Sequence, residues 1–155
     1  MGGIMWTALN YYAKTHHIRL TDDYPYEAAD LECREAEKVD RPYHTEGYAF
    51  TGLGDCNGLL RALVDQPVAV ALQAGNEAWK YYAGGIVTSE TCASTPLDHG
   101  VLAVGYYKTE LNGEDTYVAI VKNSWGRRWG NAGYIDVTIL DDACGICTQP
   151  TIAVL

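Results

Sequence analysis

Phenylalanine is nearly absent from this chain: Phe50 stands alone against twelve tyrosines and four tryptophans. The aromatic surface therefore carries polar tips, which suits clefts and interfaces. Basic charge is scarce as well. Eleven Lys and Arg face twenty Asp and Glu, for a net charge of −9, and Arg127-Arg128 is the one adjacent basic pair. Nothing here neutralises a run of phosphates, so nucleic acid is excluded as a partner. Long apolar runs are missing too. None approaches the roughly 20 residues that span a bilayer, so no membrane partner is expected. Met1-Gly2-Gly3 leads directly into structured-looking sequence, and no signal peptide is expected. Repeats and low-complexity stretches are absent. What remains is 155 residues, 48% hydrophobic and 20% charged, enough for one globular domain or one and a fraction.

Periodicity predicts one helix followed by a β-rich body, an α+β arrangement. Ile4, Leu9, Tyr12 and Ala13 recur at helical spacing over residues 3–15, which His16-His17 end. Tyr24-Pro25-Tyr26 is extended or turned, because the residue before Pro avoids the helical region. Residues 28–42 are charged and irregular, and read as surface loop. Residues 45–51 alternate like a strand. Asp55, helped by Asn57, caps a short helix through Leu63 or Val64. Residues 67–72 form a continuous apolar run, as in a strand buried on both faces. Ala78 to Tyr82 form one helical turn, broken by Gly84-Gly85. Residues 100–107 and 116–121 read as an antiparallel pair, joined by a loop over 108–115 that contains the hairpin signal Asn112-Gly113. Residues 133–139 and 149–154 complete the strands.

Five cysteines leave at least one thiol free or paired outside the chain. Cys144-Gly145-Ile146-Cys147 has the spacing of a redox pair or of half a zinc site. A zinc site needs two more ligands, and no second Cys-x-x-Cys exists, so no metal and no cofactor is expected. A structural Cys92–Cys144 bridge is the preferred reading; it closes a loop of about 50 residues and contributes ~4 kcal/mol on the loop-entropy account. Cys56 sits at a helix start, where the dipole lowers a thiol's pKa. It is either a reactive thiol or, the favoured reading, a small surface residue in a turn. Gly52-Leu53-Gly54 lacks the third glycine of a dinucleotide loop.

The chemistry concentrates in Leu97-Asp98-His99-Gly100 and Lys122-Asn123-Ser124-Trp125-Gly126. A lone histidine at a strand entrance is usually inert. Here Asn123 lies one strand later, so a hairpin sets the two side by side. A carboxamide oxygen accepting from one ring nitrogen fixes the tautomer and aims the other nitrogen outward. Trp125 shields that bond from water. Asp98 points to the opposite strand face and does not orient the imidazole. Ser94 and Ser124 have no elbow-like setting, so a serine nucleophile is not expected.

Over nearly its whole length the chain resembles the C-terminal part of a papain-like, cathepsin L-like cysteine protease. The motifs that carry the resemblance are Gly2-Gly3, Tyr24-Pro25-Tyr26, Gln66-Pro67-Val68-Ala69-Val70, Tyr82-Ala83-Gly84-Gly85-Ile86, the His99 and Asn123 segments, Trp129-Gly130 with Gly133-Tyr134, and Cys144-Gly145-Ile146. The resemblance implies that residues 1–44 are a partial helical left domain and connecting loop, and that 45–155 are an antiparallel β-barrel right domain. It implies catalytic roles for His99 and Asn123, with Trp125 covering the pair and Gly3 offering its backbone to substrate. Met5, Ala71, Leu97, Gly100 and Gln149 fall where the family builds the pocket for the second residue before the cut. That pocket is expected to be apolar with a polar floor.

The departure from the family pattern is the nucleophile. The family's Cys-Gly-Ser-Cys-Trp-type segment and its oxyanion glutamine belong upstream of Met1, and Met1 stands where the family has Asn. Cys33 resembles a cysteine whose bridge partner is also upstream. The expected partners are a peptide or protein substrate and an N-terminal left-domain segment carrying the cysteine. The chain alone is expected to be inactive and prone to associate, in a lysosomal, vacuolar or secreted protein. The alternative is a non-catalytic structural or binding subunit derived from such a protease.

Overall fold

A computed structural model describes residues 3–16, 18–34 and 43–155. Met1, Gly2, His17 and most of the expected surface loop, residues 35–42, lie outside the described residues. The chain forms two compact units, Met1–Tyr48 with Ala153–Leu155, and Ala49–Ile152.

In the first unit, helix α1 runs Met5–Thr15, two residues shorter at its start than expected. Ile4 precedes it with extended backbone and supplies no side-chain cap. At the other end His16 adopts the left-handed conformation (φ 55°, ψ 26°) and its N–H returns to Tyr12 O at 2.9 Å. This backbone bond satisfies one of the helix's last carbonyls. Despite its apolar stripe, α1 buries none of its residues. Tyr24 is flanked by the guanidinium of Arg34, 4.5 Å from its ring centroid, and Arg34 also pairs with Glu27 at 2.8 Å.

The second unit holds most of a seven-stranded sheet, whose first strand begins and whose last strand ends in the first unit. Strands β1 (Gly47–Phe50), β2 (Val68–Leu72), β3 (Ile86–Val87), β4 (His99–Leu111), β5 (Glu114–Lys122), β6 (Tyr134–Thr138) and β7 (Thr151–Val154) pair in the order β1-β7-β2-β4-β5-β6-β3. Helices α2 (Cys56–Asp65) and α3 (Glu77–Lys80) complete the elements, with a 3-10 turn at Ala143–Gly145. The sheet is mixed, not purely antiparallel as expected, because β3 joins β6 in parallel. Nothing in a two-residue strand announces its partner.

Two further expectations need correction, and one holds. The β4–β5 hairpin runs down to Asn112-Gly113, so most of the expected 108–115 loop is paired strand, including Lys108↔Tyr117 and Glu110↔Asp115. Both central turn residues have φ > 0, at 53° and 85°, as a tight hairpin demands. Asp55 holds the N-cap position of α2 as expected; the backbone N–H of Gly58 holds its carboxyl below the usual carboxylate range, and Arg61 pairs with it at 3.0 Å. Strand β2 is buried on one face only: Val68, Val70 and Leu72 are fully buried, while Ala69 and Ala71 are half-buried.

Those three β2 residues pack with Leu59 and Leu63 of α2, Ala103 of β4, Val121 of β5 and Ile135 of β6. Period-2 alternation in the strands and the i, i+4 spacing of Leu59 and Leu63 set these side chains on one shared face. The core thereby fixes the ends of β2, β4 and β5, where the candidate site lies.

A polar network fastens β4 to β6. The Tyr107 hydroxyl donates to Asp136 Oδ2 at 2.9 Å, and Tyr82 donates to Gly85 O at 2.6 Å while accepting from the Asp136 N–H at 3.3 Å. Burial, reinforced by the bond to Asp136, pushes the Tyr107 phenol up to about 12. Burial also raises Tyr82. The folded chain holds the Tyr107 proton more tightly than the unfolded chain does. Its contribution is therefore complete below the ordinary tyrosine range near pH 10 and is lost as pH rises towards 12. The gap in Tm between the parent chain and Tyr107→Phe should be largest at pH 8 and close on approach to pH 12. Thermal melts across that range check it, and a gap independent of pH contradicts it.

Candidate active site

His99 begins β4, and Asn123 follows the last residue of β5. The hairpin joins their segments, and Asn123 N–H donates to Gly133 O at 3.0 Å, which holds it at the strand end. His99 Nε2 lies 2.8 Å from Asn123 Oδ1. The backbone N–H of Ser124 reaches the same oxygen at 2.8 Å. An N–H cannot donate to an amide NH2, so this second bond fixes the orientation of the Asn123 side chain. Nε2 must then be the donor. In the neutral ring Nδ1 is left as the free, basic nitrogen. Asn123 is 8% exposed, and its Nδ2 has no hydrogen-bond partner among the described residues.

The imidazole lies between two indoles. Trp125 sits at 5.4 Å between ring centroids with the planes 36° apart, and stays 43% exposed. Trp79, fully buried, meets His99 edge-on at 6.2 Å and 78°. Trp129 closes the cluster at 5.5 Å from Trp79 and 5.4 Å from Trp125, and Tyr82 lies 5.9 Å from Trp129. Asn123 is nearly buried, which limits the water that would compete for its bond to His99. Sequence reasoning missed Trp79. It sits on a four-residue helix whose Asn76 cap accepts from Trp79 N–H at 2.9 Å, and no spacing rule links that helix to His99.

Asp98 turns away, accepting the Ala74 N–H at 2.7 Å. Its role is to tie β2's end to the His99 segment. Ala71 pairs directly with Gly100 across β2 and β4. On β2's other side Ala69 pairs with Thr151, and Gln149, half-buried, lies two residues before that partner. Leu97 is half-buried, and its Cδ2 stands 2.8 Å from where a Cβ on Gly145 would project, so it packs closely on Gly145. Gly3 is exposed and Met5 half-buried; both belong to the first unit.

The cysteines are paired as Cys92–Cys144 and Cys56–Cys147. This corrects both readings of Cys56: it is neither a reactive thiol nor an unbonded surface residue. The two halves of the Cys-x-x-Cys go to different partners, so it is neither a redox pair nor a metal site. Cys56, Asp142 and Cys147 do cluster within 4.8 Å, but the two sulfurs are bonded to one another and offer no thiolate. Cys33 is free and exposed.

Residues 1–154 match the family described as papain family cysteine protease. The chain belongs to this family. It is 41% identical over 150 residues to cysteine proteinase 3 of Dictyostelium discoideum, covering 96% of this chain and 43% of that protein. It is 36% identical over 150 residues to a cathepsin L-like protein of Caenorhabditis elegans, covering 96% and 43%. The structure of the bromelain protease from Ananas comosus superposes with a TM-score of 0.85 at 32% identity, over 99% of this chain and 70% of that one. The α+β fold is thus the papain-like one. The chain spans between 28% and 43% of the length of the curated relatives it matches. Among the described residues no helix is long and apolar enough to cross a membrane.

Proposed function

We propose that this chain supplies the histidine and asparagine of a papain-like cysteine endopeptidase that cleaves peptide bonds by thiolate acyl transfer. The observation that carries the reading is the 2.8 Å bond from His99 Nε2 to Asn123 Oδ1, which leaves Nδ1 to face the reacting atoms. A thiolate paired with protonated His99 attacks the substrate carbonyl. The C–N bond breaks as His99 passes its proton to the leaving amine. A thioester remains, and water, deprotonated by His99, hydrolyses it to acid and restores the thiol. Asn123 keeps the ring oriented through both steps, and Trp125 covers the bond that does so.

The sulfur comes from a segment upstream of residue 1, and the chain alone is inactive. Two facts support this. The four cysteines of the second unit are all bonded as disulfides, so none of them offers a thiolate. The matched relatives are more than twice as long as this chain. Ala71 and Gly100, paired across β2 and β4, with Leu97 are the apolar wall of a pocket for an aliphatic or aromatic side chain two residues before the cut, and Gln149 is its polar floor. Two disulfides fit a lysosomal, vacuolar or secreted setting, where such bonds persist.

The test is hydrolysis of a dipeptidyl fluorogenic amide by the chain alone and by the chain joined to a segment bearing the Cys-Gly-Ser-Cys-Trp-type motif. Activity should appear only in the joined protein. A well-folded joined protein without activity contradicts the reading. It would favour the alternative, a non-catalytic interface subunit, for which α1 speaks, since none of its residues is fully buried.

A further inference from the structure

Residues 116–135 form a basic island in this acidic chain: Lys122, Arg127 and Arg128 occur there, with no Asp or Glu. The two arginines occupy the middle of the turn at 126–129, closed by Trp129 N–H to Gly126 O at 3.3 Å. Gly126, at φ +84°, supplies the left-handed entry that a side chain would resist. The loop's base is held by Asn123 N–H to Gly133 O and by Gly133 N–H to Trp129 O at 2.8 Å. Trp125 and Trp129 turn to the imidazole cluster. Arg127 and Arg128 are left exposed at the corners, and neither makes an ion pair among the described residues. Two unpaired guanidinium groups are thus displayed on a rigid turn beside the ring that roofs His99.

His99 hands its proton to the leaving amine, so the leaving half of the peptide passes over the imidazole and its Trp125 cover. An extended peptide advances about 3.3–3.6 Å per residue, which brings the second and third residues past the cut into reach of a turn two residues beyond Trp125. We propose that Arg127 and Arg128 form a subsite for an acidic side chain, Asp or Glu, at the second or third residue after the scissile bond. The inference rests on the acyl-transfer reading of the site. Arginine donates in a planar fork that matches a carboxylate. The local positive charge also draws acidic peptides to a face of a protein that otherwise repels them. Exposed ion pairs of this kind change binding by about two- to fivefold each, and salt weakens them.

The test uses the joined enzyme and two internally quenched peptides, identical up to the cut, with Glu or Gln at the second and third residues after it. A dipeptidyl fluorogenic amide, which has no such residues, serves as reference. The parent enzyme should prefer the Glu peptide about fivefold in kcat/KM at 50 mM salt. The preference should fall to about one at 500 mM salt and in the double variant Arg127→Gln/Arg128→Gln. That variant should turn over the fluorogenic amide like the parent. A parent ratio of one, or a preference that survives in the variant, overturns the subsite. So does an equal loss on the amide, which makes the arginines structural. A parent enzyme that fails on the amide as well overturns the acyl-transfer reading, and the subsite falls with it.

Discussion

His99→Ala in the joined enzyme should lower kcat/KM on a dipeptidyl amide by about 10³-fold or more, because one imidazole pairs with the thiolate and also protonates the leaving amine. The loss should fall on kcat and leave KM within a few-fold, since the ring meets the reacting atoms and not the side chains that anchor the peptide. Asn123→Ala should cost less, about 10- to 100-fold. The imidazole survives, but the acceptor that selects its tautomer is gone, and Nε2–H loses its 2.8 Å partner. Steady-state kinetics on both variants, with circular dichroism to establish that each is folded, gives the ordering. Rates within threefold of the parent for His99→Ala would remove His99 from the mechanism.

Replacing the Cys56–Cys147 pair by alanines should lower the stability of the chain by about 2–5 kcal/mol. This bridge spans 91 residues against 52 for Cys92–Cys144, so it removes more freedom from the unfolded chain. It joins the first residue of α2 to the segment after the 3-10 turn, where Gly54 N–H also bonds Cys147 O at 2.9 Å. Alanine avoids leaving a polar group at Cys147, which is fully buried. Urea unfolding should show the midpoint falling by one to a few molar for a chain of this size. A change under 0.5 kcal/mol would show that the bridge constrains little. With the bridge intact, Cys56 should resist small electrophiles that label Cys33.

The meeting of His99 and Asn123 is legible in the sequence because each abuts a strand of one hairpin and Asn112-Gly113 marks its turn. The extent of that hairpin is not. Lys108, Glu110, Glu114 and Asp115 look like loop because they are charged, yet paired backbone with both faces near water tolerates charge. The half-open face of β2 is illegible for a related reason. Alanines at 69 and 71 fit a buried face and an exposed one equally well. The partner of Cys56 lies 91 residues away, and local spacing says nothing about sulfurs that only the tertiary fold brings together. Trp79 is hidden in the same manner. Its helix has four residues, and its place beside His99 is set by the packing of α3 under Trp129 and by Trp129 Nε1–H donating to Trp79 O at 3.2 Å. The short parallel pairing of β3 with β6 leaves no mark in a two-residue segment.

The central claim is that the carboxamide of Asn123 holds the His99 ring with its Nε2 proton inward and Nδ1 outward. Long-range proton–nitrogen NMR on chain labelled with ¹⁵N-histidine reads this state, with His99→Gln to assign the signal among the four histidines. The neutral ring should appear as the Nε2–H form, with a slowly exchanging ring proton that Asn123→Ala abolishes. A His99 signal in the Nδ1–H form, or one unmoved by Asn123→Ala, would contradict it.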